Sequence, residues 1–196
     1  VRRIVRRLIV WYSVRNRRRK AALITDFMGR THSRSLLLVG VGVEVWRNEA
    51  VVEHAVAGRA QTVIACDACE ARPVWPFVRA DARALPFRTR SIDFVLSNAV
   101  VEHVGQEPDQ LAMIAEHRRV GRSWVVTTPN RWFLVESHSA AVLKHWSPKW
   151  RERQSKYFSR LLSRKEFARL LPPGTRVIGR PWASTFVAMH SEHSAA

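Results

Sequence analysis

Five short, largely apolar runs constrain this chain more than any other feature. They are Ser35–Gly40, Thr62–Cys66, Trp75–Arg79, Ile92–Leu96 and Ser123–Thr127. Each has the length of a strand, and the first is continuously apolar, as strands buried on both faces are. Between them lie stretches at helical spacing: Val45, Val52 and Val56 within Glu44–Ala57, and Leu111, Ile114 and Ala115 within Asp109–Arg119. Strand and helix in alternation predict a parallel sheet with helices on both faces. The tail breaks the pattern. Lys165–Leu171 reads as a short helix closed by Pro172-Pro173-Gly174. Arg176–Ile178 and Thr185–Met189 then read as strands joined by a connection too short for a crossover, which predicts an antiparallel pair.

Several runs end on groups that bind ligands. The first ends at Gly40, followed by Gly42; the second ends at Asp67; the third ends near Asp81; the fourth runs into Ser97-Asn98. Ligands of open parallel sheets sit outside the carboxyl ends of the strands, so these ends predict one crevice. Asp67 lies about 25 residues past Gly42, near the ~20-residue spacing at which dinucleotide sites place an acid for ribose.

The charge is unusual: 33 Lys and Arg against 16 Asp and Glu, a net +17. It predicts attraction to polyanions or an Arg-rich solvated surface, and does not choose between them. Nine of the first twenty residues are Arg or Lys, with Ile4, Val5, Leu8, Trp11 and Tyr12 at helical spacing. This is a basic amphipathic helix. It either meets a membrane surface or partner or packs its apolar stripe on the domain. Residues 30–35 read as a linker, dividing the chain into 1–34 and a domain over 35–196. No stretch reaches the roughly 20 apolar residues of a membrane span. The arginines after Tyr12 break any signal-peptide core, which predicts a cytoplasmic chain. Cys66 and Cys69 form a C-x-x-C without the further ligands zinc needs. Cys66 lies inside an apolar run, so both are expected as ordinary reduced thiols.

Asp81-Ala82, Ala84-Leu85-Pro86-Phe87, Ser91-Ile92-Asp93 and Glu102-His103 together resemble the class I S-adenosylmethionine-dependent methyltransferases of the type 11 group. The resemblance extends, more weakly, from about Leu36 to the end of the chain. It implies a Rossmann-like class I fold ending in an antiparallel strand pair, with S-adenosyl-L-methionine as cofactor. Gly40 and Gly42 would let backbone approach the ligand, Asp67 would accept from the ribose, and Asp81 with Ala82 would meet the adenine. Ser97 and Asn98 would lie near the transferred methyl. Leu38-Val39-Gly40-Val41-Gly42-Val43-Glu44 aligns with an acidic-x-Gly-x-Gly-x-Gly pattern, with Leu38 at the acid and Glu44 at the third glycine. Glu44 either reaches the cofactor's amino group or obstructs the site.

On the acceptor side the chain has Ser97-Asn98-Ala99-Val100 where amino-adenine and glutamine methyltransferases have Asn-Pro-Pro-aromatic. That argues against a planar exocyclic amine as acceptor. His103 is the candidate base; the alternative is that Glu102-His103 only starts a helix, with Glu102 near its positive end. Asn130, Arg131, Trp132, Glu136 and His138, followed by His145 and Trp146, resemble a run in a subset of type 11 enzymes and are the candidate acceptor pocket. Glu136, His138 and His145 match no common zinc spacing, so no metal is expected. Trp146, Trp150 and Phe158 read equally well as core. Three functions stay open: methyl transfer to a small-molecule, lipid or glycan acceptor; RNA binding or RNA methylation; and a methyltransferase-like fold without activity.

Overall fold

In the computed structural model, residues 2–42, 50–71, 73–134, 146, 147, 149 and 160–192 are described, without the side chains of 2–6, 8 and 9. Glu44, Glu136, His138, His145, Trp150 and Phe158 lie outside this set. The chain runs α1 (Arg2–Arg30), β1 (Ser35–Val39), α2 (Val51–Ala57), β2 (Thr62–Asp67), β3 (Phe77–Arg79) and β4 (Ile92–Asn98). It continues through a 3-10 turn (Val101–His103), α3 (Glu107–Val120), β5 (Gly121–Pro129), α4 (Arg164–Arg169), β6 (Arg176–Ile178) and β7 (Thr185–Ser191).

The strands form one seven-stranded sheet in the order β3-β2-β1-β4-β5-β7-β6. β1 to β5 are parallel, and β7 is antiparallel to both β5 and β6. This is the architecture the alternating pattern predicts. Strand order reverses about β1 and β4, so the carboxyl ends of those strands are the place for a ligand.

Each face of the sheet carries its own apolar layer. Leu37, Val39, Val95 and Val126 pack with Met113 and Ile114 of α3 and Phe167 of α4. Leu36, Leu38, Phe94 and Leu96 pack on the other side with Ile24, Phe27 and Met28 of α1 and Val52 and Val56 of α2. Full burial of side chains such as Ile24 and Met28 stabilises by about 1.5–3 kcal/mol each.

Several boundaries and faces differ from the sequence expectation. The stripe of α1 that docks is Ala21, Ile24, Phe27 and Met28, whereas Trp11 and Tyr12 are exposed. Residues 31–34, within the stretch read as a linker, form a hydrogen-bonded corner. The Ser33 amide donates to the Met28 carbonyl at 3.3 Å, and the Arg34 and Ser35 amides donate to the Asp93 carboxylate at 3.1 and 3.0 Å. β3 begins at Phe77 because Pro76 lends only its carbonyl to Ala65. β5 continues through Pro129, the last position paired to β7, opposite Thr185. On α3 the buried face is Gln110, Met113, Ile114, His117 and Val120; Leu111 and Ala115 face solvent. Two polar residues turn inward because their groups find partners there. Gln110 donates to the Val101 carbonyl at 3.0 Å, and His117 Nδ1 lies 2.9 Å from the Met113 carbonyl. Burial pushes the His117 imidazole down to about 4, so it is neutral near pH 7.

Candidate functional site

At the carboxyl ends of β1, β2, β3 and β4 lies a cleft of about 460 Å³, lined by Gly40, Gly42, Asp67, Asp81, Ala82 and His103 among others. Its size is that of a small-molecule site. Gly40 follows β1 at φ +77° and Gly42 lies at φ +72°, a region that side chains other than glycine's rarely enter. A Cβ on Gly40 would fall 2.7 Å from Val100 Cγ1 and closer still to Cγ2. Among the described residues nothing lies within 4 Å of the corresponding point on Gly42.

Asp67 ends β2 and shapes this turn. Its carboxylate accepts from the Gly42 amide at 2.9 Å and from the Cys69 amide at 2.8 Å. A carboxylate has about four acceptor sites, so it keeps capacity for ligand hydroxyls. Asp81 is engaged by Arg83, whose Nη2 donates at 2.6 Å and whose backbone amide donates at 2.8 Å. Arg83 in turn donates to Asp109 at 2.6 Å. The Arg83 hydrogen bonds hold the Asp81 carboxyl below its ordinary range. An adenine amino group would be a further donor to a carboxylate that already serves Arg83. Ala82, beside it, is buried.

Ser97 and Asn98 are not among the residues lining the cleft. Alternation along β4 turns them to opposite faces of the sheet. Ser97 is buried and its hydroxyl has no hydrogen-bond partner among the described residues. Asn98 sits in a polar network. Its Oδ1 accepts from Lys20 Nζ at 2.6 Å and Thr127 Oγ1 at 2.8 Å, and its Nδ2 donates to Glu53 at 2.7 Å. Thr127 also accepts from the Ala99 amide, which fixes Ala99 at φ +59° in the cleft wall. Lys20, Glu53 and Thr127 escaped the sequence reading. A lysine on a basic helix carries no sign that it turns inward, one turn before Ile24.

Burial pushes the Lys20 ammonium down to about 8, against the opposing pull of Glu53 and Glu102. Between about pH 8 and its ordinary 10.5, the unfolded chain keeps this proton and the folded chain does not. Stability therefore rises with pH across that window. Lys20→Met is expected to remove this rise, so that the parent protein gains on the variant in urea melts compared across the window. Parallel pH dependence in the two proteins would refute the assignment.

His103 lies at the end of the 3-10 turn and is exposed at the cleft. Its neighbour Glu102 is buried and accepts from Thr128 Oγ1 at 3.2 Å. The two do not start α3, which begins at Glu107 behind a Gln106–Asp109 capping box.

The three described candidates for the acceptor pocket take different positions. Asn130 is buried and spends both amide protons on the Pro181 and Ala183 carbonyls, at 2.7 and 2.8 Å. It thus clamps the 181–184 turn and does not present these groups to an acceptor. Arg131 pairs with Glu166 of α4 at 3.1 Å. Trp132 is exposed, with its ring edge-on to Trp146 at 6.5 Å.

Among known sequences, residues 40–123 match the family described as a methyltransferase domain, the type 11 group. No curated protein matches the chain. Solved structures share the fold. The PH0226 protein from Pyrococcus horikoshii OT3 is 14% identical at a TM-score of 0.59, over 90% of this chain and 90% of that one. An S-adenosylmethionine-dependent methyltransferase from Mesorhizobium loti is 14% identical at a TM-score of 0.52, over 80% of this chain and 90% of that one. A protein from Bacillus halodurans C-125 is 16% identical at a TM-score of 0.53, over 75% of this chain; the match spans 64% of that protein, less than two thirds of its length. At these identities the structures speak for the fold. The match to the type 11 methyltransferase domain rests on residues 40–123, and the sheet order is that of the class I methyltransferase fold.

Proposed function

We propose that the protein transfers a methyl group from S-adenosyl-L-methionine to a small-molecule, lipid or glycan acceptor by direct displacement. The observation that carries this is the convergence of Gly40, Gly42, Asp67, Asp81 and Ala82, drawn from three strand ends, on one cleft. The fit is chemical. The glycine turn admits close backbone approach, Asp67 has capacity for ribose hydroxyls, and the Asp81-Ala82 pair lies where an adenine edge would rest. When bound, the cofactor supplies a methyl group on a positively charged sulfur. The chain's part is to hold donor and acceptor in line, which supplies ~7–11 kcal/mol of such a barrier. The His103 imidazole, exposed at the same cleft, would take the proton of an acceptor that must lose one.

The second reading, a fold without activity, rests on Leu38 and Glu44. Leu38 has a structural reason. It is 1% exposed in the apolar layer beneath α1 and α2, where an acid would be a buried charge. Its departure from the family pattern is therefore compatible with an intact cleft.

Calorimetric titration with S-adenosylmethionine and S-adenosylhomocysteine tests the proposal. Micromolar binding of both is expected. No heat from correctly folded protein would select the inactive reading.

A further inference from the structure

The apolar residues exposed at the surface are not scattered. Eight of the ten large ones among the described residues belong to the first half of α1 or to the two loops it meets and their neighbours. Tyr12 stacks on Phe133 at 5.7 Å, and Asn16 donates to Ser184 Oγ at 2.9 Å. These contacts bring α1 to the 131–134 loop, which carries Trp132 and Leu134, and to the 180–184 loop, which carries Trp182. Trp146 joins through its edge-on contact with Trp132. Trp11, Leu134 and Trp182 are 60%, 57% and 68% exposed. Isolated exposed side chains need no explanation, but contiguous apolar surface does.

The charge along the α1 side of this rim has one sign. Residues 1–25 contain no Asp or Glu. Arg7, Trp11, Val14, Arg15 and Arg18 recur at spacings of three and four on the outward face of α1, and all five are exposed. Asn16, Lys20 and Ile24, on the opposite face, fasten the helix to the domain. Guanidinium groups flank the indoles: Arg15 lies 5.5 Å from the Trp11 ring, Arg131 5.9 Å from Trp132 and Arg180 5.8 Å from Trp182.

We infer that this rim is a docking surface for an anionic lipid bilayer. Tryptophan favours the membrane–water boundary, where its ring meets apolar matter and its N–H stays wet. Arginine can lay its stem on apolar surface while its head meets lipid phosphate. The aliphatic members, Val10, Val14 and Leu134, favour a bilayer over single-stranded nucleic acid, because they gain by entering the acyl boundary and offer no ring for a base to stack on. No helix among the described residues is long and apolar enough to cross a membrane; the docking inferred is that of this surface on the bilayer. The inference stands apart from the cofactor reading, since it concerns a surface and is tested without cofactor.

The test is co-sedimentation of the full chain with vesicles of phosphatidylcholine alone and of phosphatidylcholine with phosphatidylserine, at two salt concentrations. Binding to the anionic vesicles only is expected. Each lost arginine near the surface should weaken it about fivefold, so Arg15→Glu with Arg18→Glu should weaken it more than tenfold. Trp11→Ser should weaken it by about the same factor as one arginine, and should do so at the higher salt as well. These side chains are exposed, and unchanged circular dichroism would show that the variants fold. No sedimentation with anionic vesicles, equal sedimentation with neutral ones, or binding unmoved by the variants would overturn the inference. Binding to a single-stranded RNA homopolymer with a steep salt slope, without vesicle binding, would overturn it in favour of nucleic acid.

Discussion

Asp67→Ala is expected to lower affinity for S-adenosylmethionine by about 100-fold. Hydrogen bonds to a charged group contribute about 1.5–3 kcal/mol each, and 1.4 kcal/mol is a factor of ten. Loss of one such ribose contact therefore supplies one to two decades. The rest comes from the turn, because the carboxylate also holds the Gly42 amide at 2.9 Å and the Cys69 amide at 2.8 Å. Stability should change little, since Asp67 is only half-buried. Asp67→Asn keeps one acceptor oxygen and should fall between parent and alanine. Calorimetry on all three proteins, with thermal melts as controls, measures both quantities. Unchanged affinity in a folded Asp67→Ala protein would mean that the ribose is bound elsewhere and that the cleft has been read wrongly.

Gly40→Ala is expected to destabilise the fold by roughly 2–5 kcal/mol and abolish cofactor binding. Two costs add. A left-handed conformation at φ +77° costs a residue with a Cβ about 1–2 kcal/mol. Forcing that Cβ against Val100 is overpacking, typically 1–3 kcal/mol. Val100→Ala in the Gly40→Ala background removes the overlap but not the strained φ, so it should recover only part of the loss, a coupling that a double-mutant cycle isolates. Gly42→Ala is the contrast. Its φ of +72° carries the same strain, but no atom of the described residues lies within 4 Å of its Cβ position, so it should cost only about 1–2 kcal/mol. Equal losses at Gly40 and Gly42 in denaturant melts would show that contact with Val100 is not what makes Gly40 necessary.

The fold was legible because both its period and its punctuation are local. Five apolar runs with helical stretches between them admit few arrangements other than a doubly covered parallel sheet. The two short strands around residues 179–181 admit only an antiparallel pair. The cleft was legible for a related reason: a parallel sheet presents every strand end on one edge, so Gly40, Gly42, Asp67 and Asp81 had to share a neighbourhood. Errors arose where a side chain's role depends on what another segment brings to it. Asn130 reads as a polar loop residue, yet it clamps carbonyls some fifty residues away. Gln110 and His117 sit on the buried face of α3, in place of Leu111 and Ala115, because carbonyls there receive them.

The sequence by itself determined the order of strands and helices, the glycine turn, and the acids at the strand ends. These follow from periodicity, from glycine's freedom at positive φ, and from the few positions where a parallel sheet tolerates a carboxylate. Only the tertiary structure decided which stripe of the basic N-terminal helix is buried, and so which is left outside. Ala21, Ile24, Phe27 and Met28 meet the sheet's apolar layer, and Lys20 meets Asn98, Glu53 and Glu102. Helical spacing marks which residues share a face, but the face that packs is set by the surface it meets, and that surface is assembled from strands far along the chain.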